Sequence, residues 1–428
     1  MQNNIVTSDS IKSADAKTIS PCCRFCDNKL EHIFIDLGMS PLSNSYLQAS
    51  RIHKSEKFYP LTVFVCSSCL LVQLMEYETP DVIFSDYAYF SSYSDSWLEH
   101  ARIYADKIID RFTISKDSMV IELASNDGYL LKNFIERDIP VIGIEPAENV
   151  ALYAQERGIP TITKFFGVAV AQELIAQNKA ADLIIGNNVL AHVPNINDFV
   201  GGIKILLKPS GIATLEFPHI LNLIKKKQFD TIYHEHFSYL SFFSVLKIFE
   251  NHGLKIFDVD ELTTHGGSLR IYATHSDNME QRIYRSVKNL FQKEYNAGLH
   301  NLAMYKSFSE VIHAQKRHIL KKLIKIKENE KRIVGYGAAA KGNTLLNYCG
   351  IRTDIIDYVV DRNPQKIGKL LPGTHIPIKD PDAIKEDKPD YVLIFPWNLQ
   401  DEIITQNNYI REWGGKFIIP IPDVMIID

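Results

Sequence analysis

Short apolar runs alternate with longer amphipathic stretches along most of this chain. A first series of runs reads SMVIELAS, VIGIEP, DLIIGNN, GIATLEFP and SLRIYATH, and a second reads RIVGYGAA, IDYVVDRN, YVLIFPW and KFIIPIP. Strands separated by helical stretches are typical of parallel sheets with helices on both faces. Because each series opens with a glycine-bearing strand, turn and helix, the pattern predicts two α/β domains.

These runs divide the chain into three predicted zones. Residues 1–80 contain short strands and turns around cysteines, residues 81–285 contain the first series, and residues 286–428 contain the second. The first twenty residues are polar and lack the apolar core of a signal peptide, so we interpret them as a frayed tail.

The composition is that of a globular chain. Of its 428 residues, 46% are hydrophobic and 23% are charged, which excludes disorder, collagen and a coiled coil as descriptions of the whole. With 47 basic and 51 acidic residues the net charge is −4, so bulk electrostatics predicts neither a nucleic-acid nor a membrane partner. No apolar run approaches the roughly 18 residues of a membrane helix. We expect a cytoplasmic protein and favour a monomer, although nothing in the sequence encodes the oligomeric state.

Six cysteines are too few for a disulfide scaffold, but four of them form two Cys-x-x-Cys pairs, Cys23 with Cys26 and Cys66 with Cys69. Two such turns supply the four thiolates of a tetrahedral zinc site, and with no position open for water the zinc would be structural. Cys22 offers a second register with Cys26, and a redox couple or an iron–sulfur cluster is the alternative. Cys349 stands alone, and we expect a buried thiol.

Three apolar strands of the first series end in small or polar residues. They lead into the turn Ala124-Ser125-Asn126-Asp127-Gly128, into Glu145, and into Asn187-Asn188. Small residues let a ligand approach the backbone, and Asn126 or Asp127 can cap the helix that follows. An acid placed like Glu145 can accept hydrogen bonds from both hydroxyls of a ribose. The pattern indicates a cofactor that contains a ribose.

In this order the elements resemble the class I methyltransferases, although Ser125-Asn126-Asp127 stand where glycines are usual. The string E-x-A-S-N-D-G-x-L-L, together with NNVLAHVPN, YHEHFSYLS and GYGAAAKGNTLLN, is similar to the sugar C-methyltransferase family. Members of that family methylate carbon 3 of nucleotide-linked 4-keto deoxysugars.

The resemblance covers nearly the whole chain and implies an N-terminal zinc domain, a central Rossmann-like methyltransferase domain and a second Rossmann-like domain. It implies S-adenosylmethionine as cofactor, lined by Ala124, Ser125, Asn126, Gly128, Glu145 and Asn188. His192 would face the substrate beside Asn188, at the reacting centre.

The segment Tyr233-His234-Glu235-His236 is dense in groups that transfer protons. A histidine is a suitable base near neutral pH, and it could remove a proton beside a ketone. Glu235 could orient or polarise that imidazole, and Tyr233 could donate to the ketone or enolate oxygen. By resemblance, His236 is the base, and Glu235 and Tyr233 are its catalytic partners. Alternation along an extended segment would place His234 and His236 on one face, so the choice between the histidines stays open.

Further residues are candidates for sugar and phosphate contacts. By family pattern a tyrosine of the stretch 86–93 reaches the sugar, Tyr89 before Tyr93, with simple packing as the alternative. His265 and Arg270 flank a glycine turn that could hold phosphate oxygens, or could merely end a strand.

The second series contains a partial dinucleotide fingerprint, Gly335-x-Gly337, with Asp361 at the end of the next strand. Lys341 at the following helix start suits an anion such as a diphosphate, and Asn343 lies beside it. In the family this domain contributes to nucleotide-sugar binding, and an NAD-binding remnant is the alternative.

The predicted reaction is therefore C3-methylation of a nucleotide-diphosphate 4-keto-6-deoxysugar. Two other hypotheses are methylation of oxygen or nitrogen on a sugar or small metabolite, and a non-catalytic, zinc-containing assembly protein.

Overall fold

A computed structural model describes residues 21–84, 91–93 and 95–428. The predicted tail and Tyr89 lie outside these residues. The strands, numbered in chain order, are β1 His32–Ser40, β2 Leu47–Gln48, β3 Tyr59–Val65, β4 Val72–Leu74, β5 Val120–Leu123, β6 Val141–Ile144, β7 Thr161–Ile162, β8 Ala181–Asn187, β9 Leu207–Pro218, β10 Ser238–Tyr239, β11 Leu254–Leu262, β12 Ser268–His275, β13 Ile333–Tyr336, β14 Val359–Val360, β15 Lys369–Leu370, β16 Ile378–Lys379, β17 Tyr391–Ile394, β18 Lys416–Ile419 and β19 Met425–Ile427.

The α-helices are α1 Pro80–Phe84, α2 Asp95–Phe112, α3 Lys132–Ile135, α4 Glu148–Glu156, α5 Val168–Ala176, α6 Ile196–Leu206, α7 Ile220–Lys225, α8 Phe242–Asn251, α9 Arg285–Asn296, α10 Leu302–Lys306, α11 Phe308–Glu328, α12 Ala340–Cys349, α13 Ala383–Asp387 and α14 Gln400–Gln406. Within the described ranges, no helix combines the length and the apolar composition that crossing a membrane requires.

The central domain is built on a seven-stranded sheet in the order β11-β12-β9-β8-β5-β6-β7. Strands β5 to β9 run parallel, and β11 and β12 add an antiparallel hairpin at one edge. Every residue of β5 and β6 is buried, as continuous apolar runs in a covered parallel sheet require. Strand order reverses between β5 and β8, and ligands bind outside the carboxyl ends of strands at such a point.

The C-terminal domain is a second sheet, in the order β16-β14-β13-β17-β18-β19. All of its pairings are parallel except β18 with β19. Its strand order reverses between β13 and β17, so it repeats the open plan of the central sheet. The predicted α/β class with two Rossmann-like domains is confirmed.

The N-terminal region forms a smaller antiparallel sheet in the order β1-β3-β4-β10. Its last strand, β10, comes from the central zone of the chain, and β2 pairs with β15 of the C-terminal zone. A hydrophobic core joins this sheet to the C-terminal domain, where Phe34 stacks on Phe308 with ring centres 4.6 Å apart. The boundaries at residues 80 and 285 stay predictions.

Candidate active site

The four cysteines of the predicted pairs meet at one point of the N-terminal region. Their sulfur atoms all lie within 4.8 Å of one another, and the Cys23–Cys69 and Cys26–Cys66 sulfurs are each 3.5 Å apart. A tetrahedron with bonds of about 2.3 Å has edges of about 3.8 Å, so the cluster fits one zinc ion held by four thiolates. The predicted structural zinc site is confirmed.

Both cysteine turns have the same backbone geometry. The residue after each pair, Asp27 or Leu70, has a positive φ of 58° or 63°, and its N–H donates to the carbonyl of the first cysteine at 3.0 Å. Cys22 is exposed and outside the cluster, which excludes the second register. Cys349 is a buried free thiol, as expected.

Arg24, inside the first cysteine turn, fixes the zinc domain to the central domain. Its guanidinium donates to the carbonyl of Pro194 at 2.8 Å and to the carbonyl of Leu74. It also lies 5.3 Å from the centre of the Phe237 ring. The zinc domain is therefore held against the two segments that contain the predicted histidines.

The predicted cofactor turn lies at the carboxyl end of β5, where the strand order reverses. Ala124 and Asn126 have left-handed φ values of 55° and 50°, and Gly128 has 76°. A side chain on Gly143 of the neighbouring β6 would collide with the Ser125 hydroxyl. This glycine lets the turn lie close against the sheet.

The side chains of this turn do not cap a helix, and that expectation is wrong. Helix α3 begins at Lys132 without a side-chain cap. Asn126 Oδ1 instead accepts the N–H of Ser91 at 2.9 Å, and Asp127 Oδ2 accepts the N–H of Ser92 at 3.1 Å. These two hydrogen bonds hold Ser91 and Ser92, which precede α2, against the turn.

Glu145 is bonded to the same turn. Its carboxylate accepts the N–H groups of Asn126 and Ala147, both at 2.9 Å. A carboxylate offers about four lone-pair positions, so about two remain for the hydroxyls of a ribose. Burial raises the pKa of Glu145 to about 7, and the charge of Asp127 adds to the rise.

Three buried oxygens around the turn have no hydrogen-bond partner among the described residues: Glu122 Oε2, Ser125 Oγ and Asp127 Oδ1. Burial raises the pKa of Glu122, and the charges of Asp127 and Glu145 raise it further. Buried acids without a cation are costly, and S-adenosylmethionine carries positive charge on its sulfonium and amino groups. The donor and acceptor set fits this cofactor, while the contact of each predicted residue with it stays a prediction.

The Tyr233–His236 segment is a tight turn rather than the extended segment that the alternation assumed. The His236 N–H donates to the Tyr233 carbonyl at 2.9 Å, and the two rings are centred 4.1 Å apart. The ring of His192 lies 4.7 Å from that of His236. The turn therefore groups these three side chains, and each keeps partial exposure.

The other two side chains of the turn point away from this group. His234 Nε2 lies 3.2 Å from the carbonyl oxygen of Pro60, and its ring packs edge-on against Tyr59 at 5.7 Å. Glu235 Oε1 accepts the Asn44 amide at 2.6 Å. Both side chains are buried and engaged by the N-terminal region.

A backbone carbonyl orients His236. Its Nδ1 lies 2.7 Å from the carbonyl oxygen of Thr231, which can only accept, so Nδ1 carries the hydrogen and Nε2 keeps a lone pair. Thr231 thus takes the orienting position that was predicted for Glu235. Burial lowers the pKa of His236 well below its usual value, and the charge of Lys341 lowers it further.

His192 is a second neutral imidazole beside it. Burial lowers the pKa of His192 to about 4, although a hydrogen bond with the Glu235 backbone opposes this shift. Its Nδ1 is buried and has no hydrogen-bond partner in the described part of the chain. The geometry therefore moves the choice of base from His234 or His236 to His236 or His192.

All three domains hold this turn in place. The Phe237 N–H donates to the Ala191 carbonyl at 2.8 Å, and the Phe237 carbonyl accepts the Leu74 N–H at 3.0 Å. From α12 of the C-terminal domain, the Thr344 hydroxyl donates to the Ile232 carbonyl at 2.9 Å. The position of His236 thus depends on the zinc, central and C-terminal domains together.

The structure also brings together two of the predicted residues, Asn188 and His265. The Asn188 amide nitrogen and His265 Nε2 are 3.1 Å apart, and the Trp97 ring packs edge-on against His265 at 5.1 Å. Burial lowers the pKa of His265 to about 4, and the charge of Lys341 contributes.

Arg270 belongs to a buried network. It donates to the Glu216 carboxylate, which also lies 3.0 Å from His100 Nε2, and its guanidinium stacks over Tyr104 at 4.3 Å. Burial alone would raise the pKa of Glu216, but His100 and Arg270 outweigh it and lower the pKa to about 2. The charge of Arg270 is therefore compensated by Glu216 inside the protein. A contact of Arg270 with the substrate stays a prediction, and the ion pair with Glu216 does not favour it.

In the C-terminal domain, α12 carries Lys341 and Asn343. Asn343 is buried, and its Nδ2 has no partner among the described residues. Asp361, the acid that a dinucleotide site would use, accepts the Ala338 N–H of the glycine turn at 2.8 Å. Unlike Glu145, Asp361 also pairs with a cation, Lys366 Nζ at 3.2 Å, and this internal neutralisation of the acid disfavours an NAD-binding remnant.

Of the predicted tyrosines, Tyr89 lies outside the described residues and Tyr93 ends the short 3-10 turn Ser91–Tyr93. Their sugar contacts stay predictions. The ring of Phe84, the last residue of α1, lies 5.9 Å from that of His192.

The sequence interpretation missed Asp230, Trp397 and Glu216. Trp397 Nε1 donates to the Asp230 carboxylate at 2.7 Å, and the two residues are 167 positions apart, so no local pattern connects them. Glu216 gave a signal, because it is an acid within the apolar run GIATLEFP.

Three family models match consecutive parts of the chain. A putative zinc binding domain matches residues 23–84, a methyltransferase domain matches residues 97–259, and a C-methyltransferase C-terminal domain matches residues 263–422. Their order is the order of the three sheets.

The C-methyltransferase NovU of Streptomyces niveus is 34% identical over 408 residues, which cover 95% of this chain and 96% of NovU. Among solved structures, magnesium protoporphyrin IX methyltransferase of Synechocystis PCC 6803 aligns with 42% of this chain and 83% of its own, at 15% identity and a TM-score of 0.34. A SAM dependent methyltransferase from Aquifex aeolicus aligns with 40% of this chain and 88% of its own, at 16% identity and a TM-score of 0.31.

The match to NovU favours methylation at carbon over methylation at oxygen or nitrogen, and an enzyme over a non-catalytic assembly protein. The chain belongs to the C-methyltransferase family and is an S-adenosylmethionine-dependent C-methyltransferase with a four-cysteine zinc site.

Proposed function

We propose that this enzyme methylates carbon 3 of a nucleotide-diphosphate 4-keto-6-deoxysugar through an enolate, with His236 as the base. The observation that carries the proposal is the pair of imidazoles, His236 and His192, with ring centres 4.7 Å apart. His192 follows β8, which pairs with β5, the strand that ends in the cofactor turn. Methylation at carbon needs a carbanion equivalent, and a neighbouring carbonyl permits one. The resemblance to sugar C-methyltransferases supports a keto sugar as the source of that carbonyl.

In the proposed first step, His236 Nε2 accepts the proton from carbon 3. The electron pair of the C–H bond forms the enolate, with its charge on the oxygen at carbon 4. The hydrogen bond from Nδ1 to Thr231 supports this assignment, since it leaves Nε2 as the basic atom. Tyr233, whose ring lies 4.1 Å from that of His236, can direct its hydroxyl to the same oxygen.

When bound, S-adenosylmethionine supplies the electrophilic methyl group, which carbon 3 takes as the carbon–sulfur bond breaks. His236 then releases its proton to solvent, which the lowered pKa of this imidazole favours.

Hydrogen–deuterium exchange at carbon 3 tests the base. The enzyme is incubated in D₂O with S-adenosylhomocysteine and either dTDP-4-keto-6-deoxyglucose or GDP-4-keto-6-deoxymannose, and exchange is followed by NMR. His236→Ala should lower exchange and methyl transfer by about 10²- to 10⁴-fold. His234→Gln, which keeps a donor for Pro60, should change both by less than about threefold.

His192→Asn identifies the competing base. If this variant abolishes exchange while His236→Ala retains it, His192 is the base. If wild type exchanges no carbon 3 hydrogen in either sugar, the proposed reaction is wrong.

A further inference from the structure

Lys341 belongs to the C-terminal domain, yet its helix contacts the segment of the central zone that leads into Tyr233, through the Thr344 hydroxyl and the Ile232 carbonyl at 2.9 Å. It sits in the first turn of α12 and donates to Asn398 Oδ1 at 2.7 Å. The ring centre of Trp397 lies 4.6 Å from Nζ. The side chain keeps partial exposure although burial lowers the pKa of Lys341 to about 8. These features describe a partly enclosed ammonium with a polar and an aromatic neighbour.

The surroundings of Lys341 connect it to the reacting centre. Trp397 also donates to Asp230, which lies three residues before Tyr233. The charge of Asp230 favours the Lys341 cation, and the cation in turn lowers the pKa values of His236 and His265. The bonds of Trp397 to Asp230 and of Thr344 to Ile232 thus place the surroundings of Lys341 against the segment that carries His236.

The ammonium has donors to spare. A lysine side chain has three N–H donors, and the described residues provide one hydrogen-bond acceptor for this one. About two N–H donors of Lys341 therefore remain for a ligand.

We propose that Lys341 Nζ binds the carbonyl oxygen at carbon 4 of the keto sugar and stabilises the enolate. This inference rests on the proposed function and replaces the diphosphate contact that the sequence suggested for Lys341. The balance of the step is unchanged: the proton from carbon 3 goes to His236, and the electron pair goes to the oxygen that Lys341 holds.

Two observations favour the single oxyanion over the diphosphate. Asp230 Oδ1 is buried and has no partner among the described residues, so a diphosphate beside Lys341 would meet a second anion. In addition, burial, with the charge of Lys341 adding to it, lowers the pKa of His236, which keeps the imidazole in its basic form but makes it a weak base. A weak base deprotonates carbon only where a preorganised charge meets the developing oxyanion.

Variants of Lys341 separate these roles. Lys341→Met should lower exchange at saturating sugar by about a hundredfold or more, comparable to loss of one oxyanion donor. Its affinity for dTDP should stay within about threefold, because dTDP has no keto oxygen, whereas its affinity for dTDP-4-keto-6-deoxyglucose should fall by about tenfold with the loss of a charge-assisted hydrogen bond. Lys316→Met, which removes a cation 4.3 Å from the Tyr348 ring, is the matched control and should leave both unchanged.

Two further readouts do not depend on the rate of a single variant. Histidine NMR should show the pKa of His236 rising in Lys341→Met, because a neighbouring cation is removed. Exchange by wild type should fall as the pH rises through about 8, where Lys341 loses its proton, and Lys341→Arg should move this fall above about pH 10. The titratable groups facing Lys341 are Asp230, His236 and His265.

An affinity for dTDP weakened tenfold in Lys341→Met, with exchange at saturation unchanged, would overturn the inference in favour of the diphosphate. Unchanged exchange and unchanged affinity would also overturn it. Because wild type is measured alongside, failure of wild type to exchange rejects the proposed function itself and is distinguishable from either result.

Discussion

The central and C-terminal sheets share one plan but use it differently. Each has a small-residue turn after its first strand and an acid after its second strand, Glu145 in one and Asp361 in the other. Within the described part of the chain, Glu145 accepts only backbone N–H groups, and the nearby buried oxygens Glu122 Oε2 and Asp127 Oδ1 have no hydrogen-bond partner. The central turn therefore keeps acceptors available for a ligand that carries positive charge.

The C-terminal turn is closed by its own residues. Asp361 accepts the Ala338 N–H and pairs with Lys366 at 3.2 Å, and Lys366 also donates to the Ala338 carbonyl at 3.0 Å. The helix that follows carries Lys341 in its first turn, where the ammonium contacts Asn398 and Trp397. The same architecture thus holds a cofactor in one domain and presents a side chain from the other, and the difference lies in whether the acid is neutralised internally.

Removal of zinc should have the largest effect, because it disturbs the sheet that joins both domains. Structural zinc contributes about 10–16 kcal/mol in small zinc peptides. Cys66→Ser should lose bound zinc, lower the melting temperature by about 10 °C or more and abolish methyl transfer. Cys22→Ser, outside the cluster, is the control. Metal analysis and calorimetry measure the result, and full activity in a zinc-free Cys66→Ser protein would contradict it.

Exchanging the two acids for amides tests the comparison directly. Glu145→Gln should weaken S-adenosylmethionine binding by about ten- to hundredfold, because a hydrogen bond to a charged group contributes about 1.5–3 kcal/mol. Asp361→Asn should leave this affinity within about twofold and lower thermal stability instead, since Lys366 loses its partner. Titration calorimetry distinguishes them, and equal losses of affinity would mean that the two turns are not different.

Filling the space beneath the cofactor turn should have a smaller effect. Gly143→Ala pushes against the Ser125 hydroxyl, and overpacking of this kind costs about 1–3 kcal/mol. We expect weaker S-adenosylmethionine binding with the C-terminal domain unaffected. Gly201→Ala on α6 is the control, because its methyl group would meet Val168 at an ordinary 3.4 Å. A cofactor affinity that is the same in both variants would refute the close approach.

The smallest expected effect is on the pH dependence of cofactor affinity. The pKa of Glu145 is raised to about 7, mainly by burial, and ribose hydroxyls and a positive ligand favour its ionised form. Affinity should therefore be full above pH 7 and weaken as the pH falls, by about tenfold between pH 8 and pH 6. Glu122 and Asp127 face the same site. A Glu145→Gln variant should flatten this dependence, and an equally steep curve would assign it to those two acids.

Local patterns were sufficient for much of the architecture. The two Cys-x-x-Cys turns predicted the zinc site because their geometry is set within four residues, and the apolar runs predicted both parallel sheets because buried strands must be apolar. The position of the acid after each second strand could be predicted for the same reason. The role of each acid could not be predicted, because it depends on whether a lysine lies nearby in space.

The chain order alone thus determined three domains, their class, the zinc ligands and the positions of the catalytic candidates. Tertiary structure decided which of those candidates meet: Tyr233 turns onto His236, Thr231 rather than Glu235 orients the imidazole, and Arg270 is withdrawn into an ion pair with Glu216. The physical reason is that strand and turn formation depends on neighbouring residues, whereas the environment of a buried charge depends on groups that folding brings from distant parts of the chain.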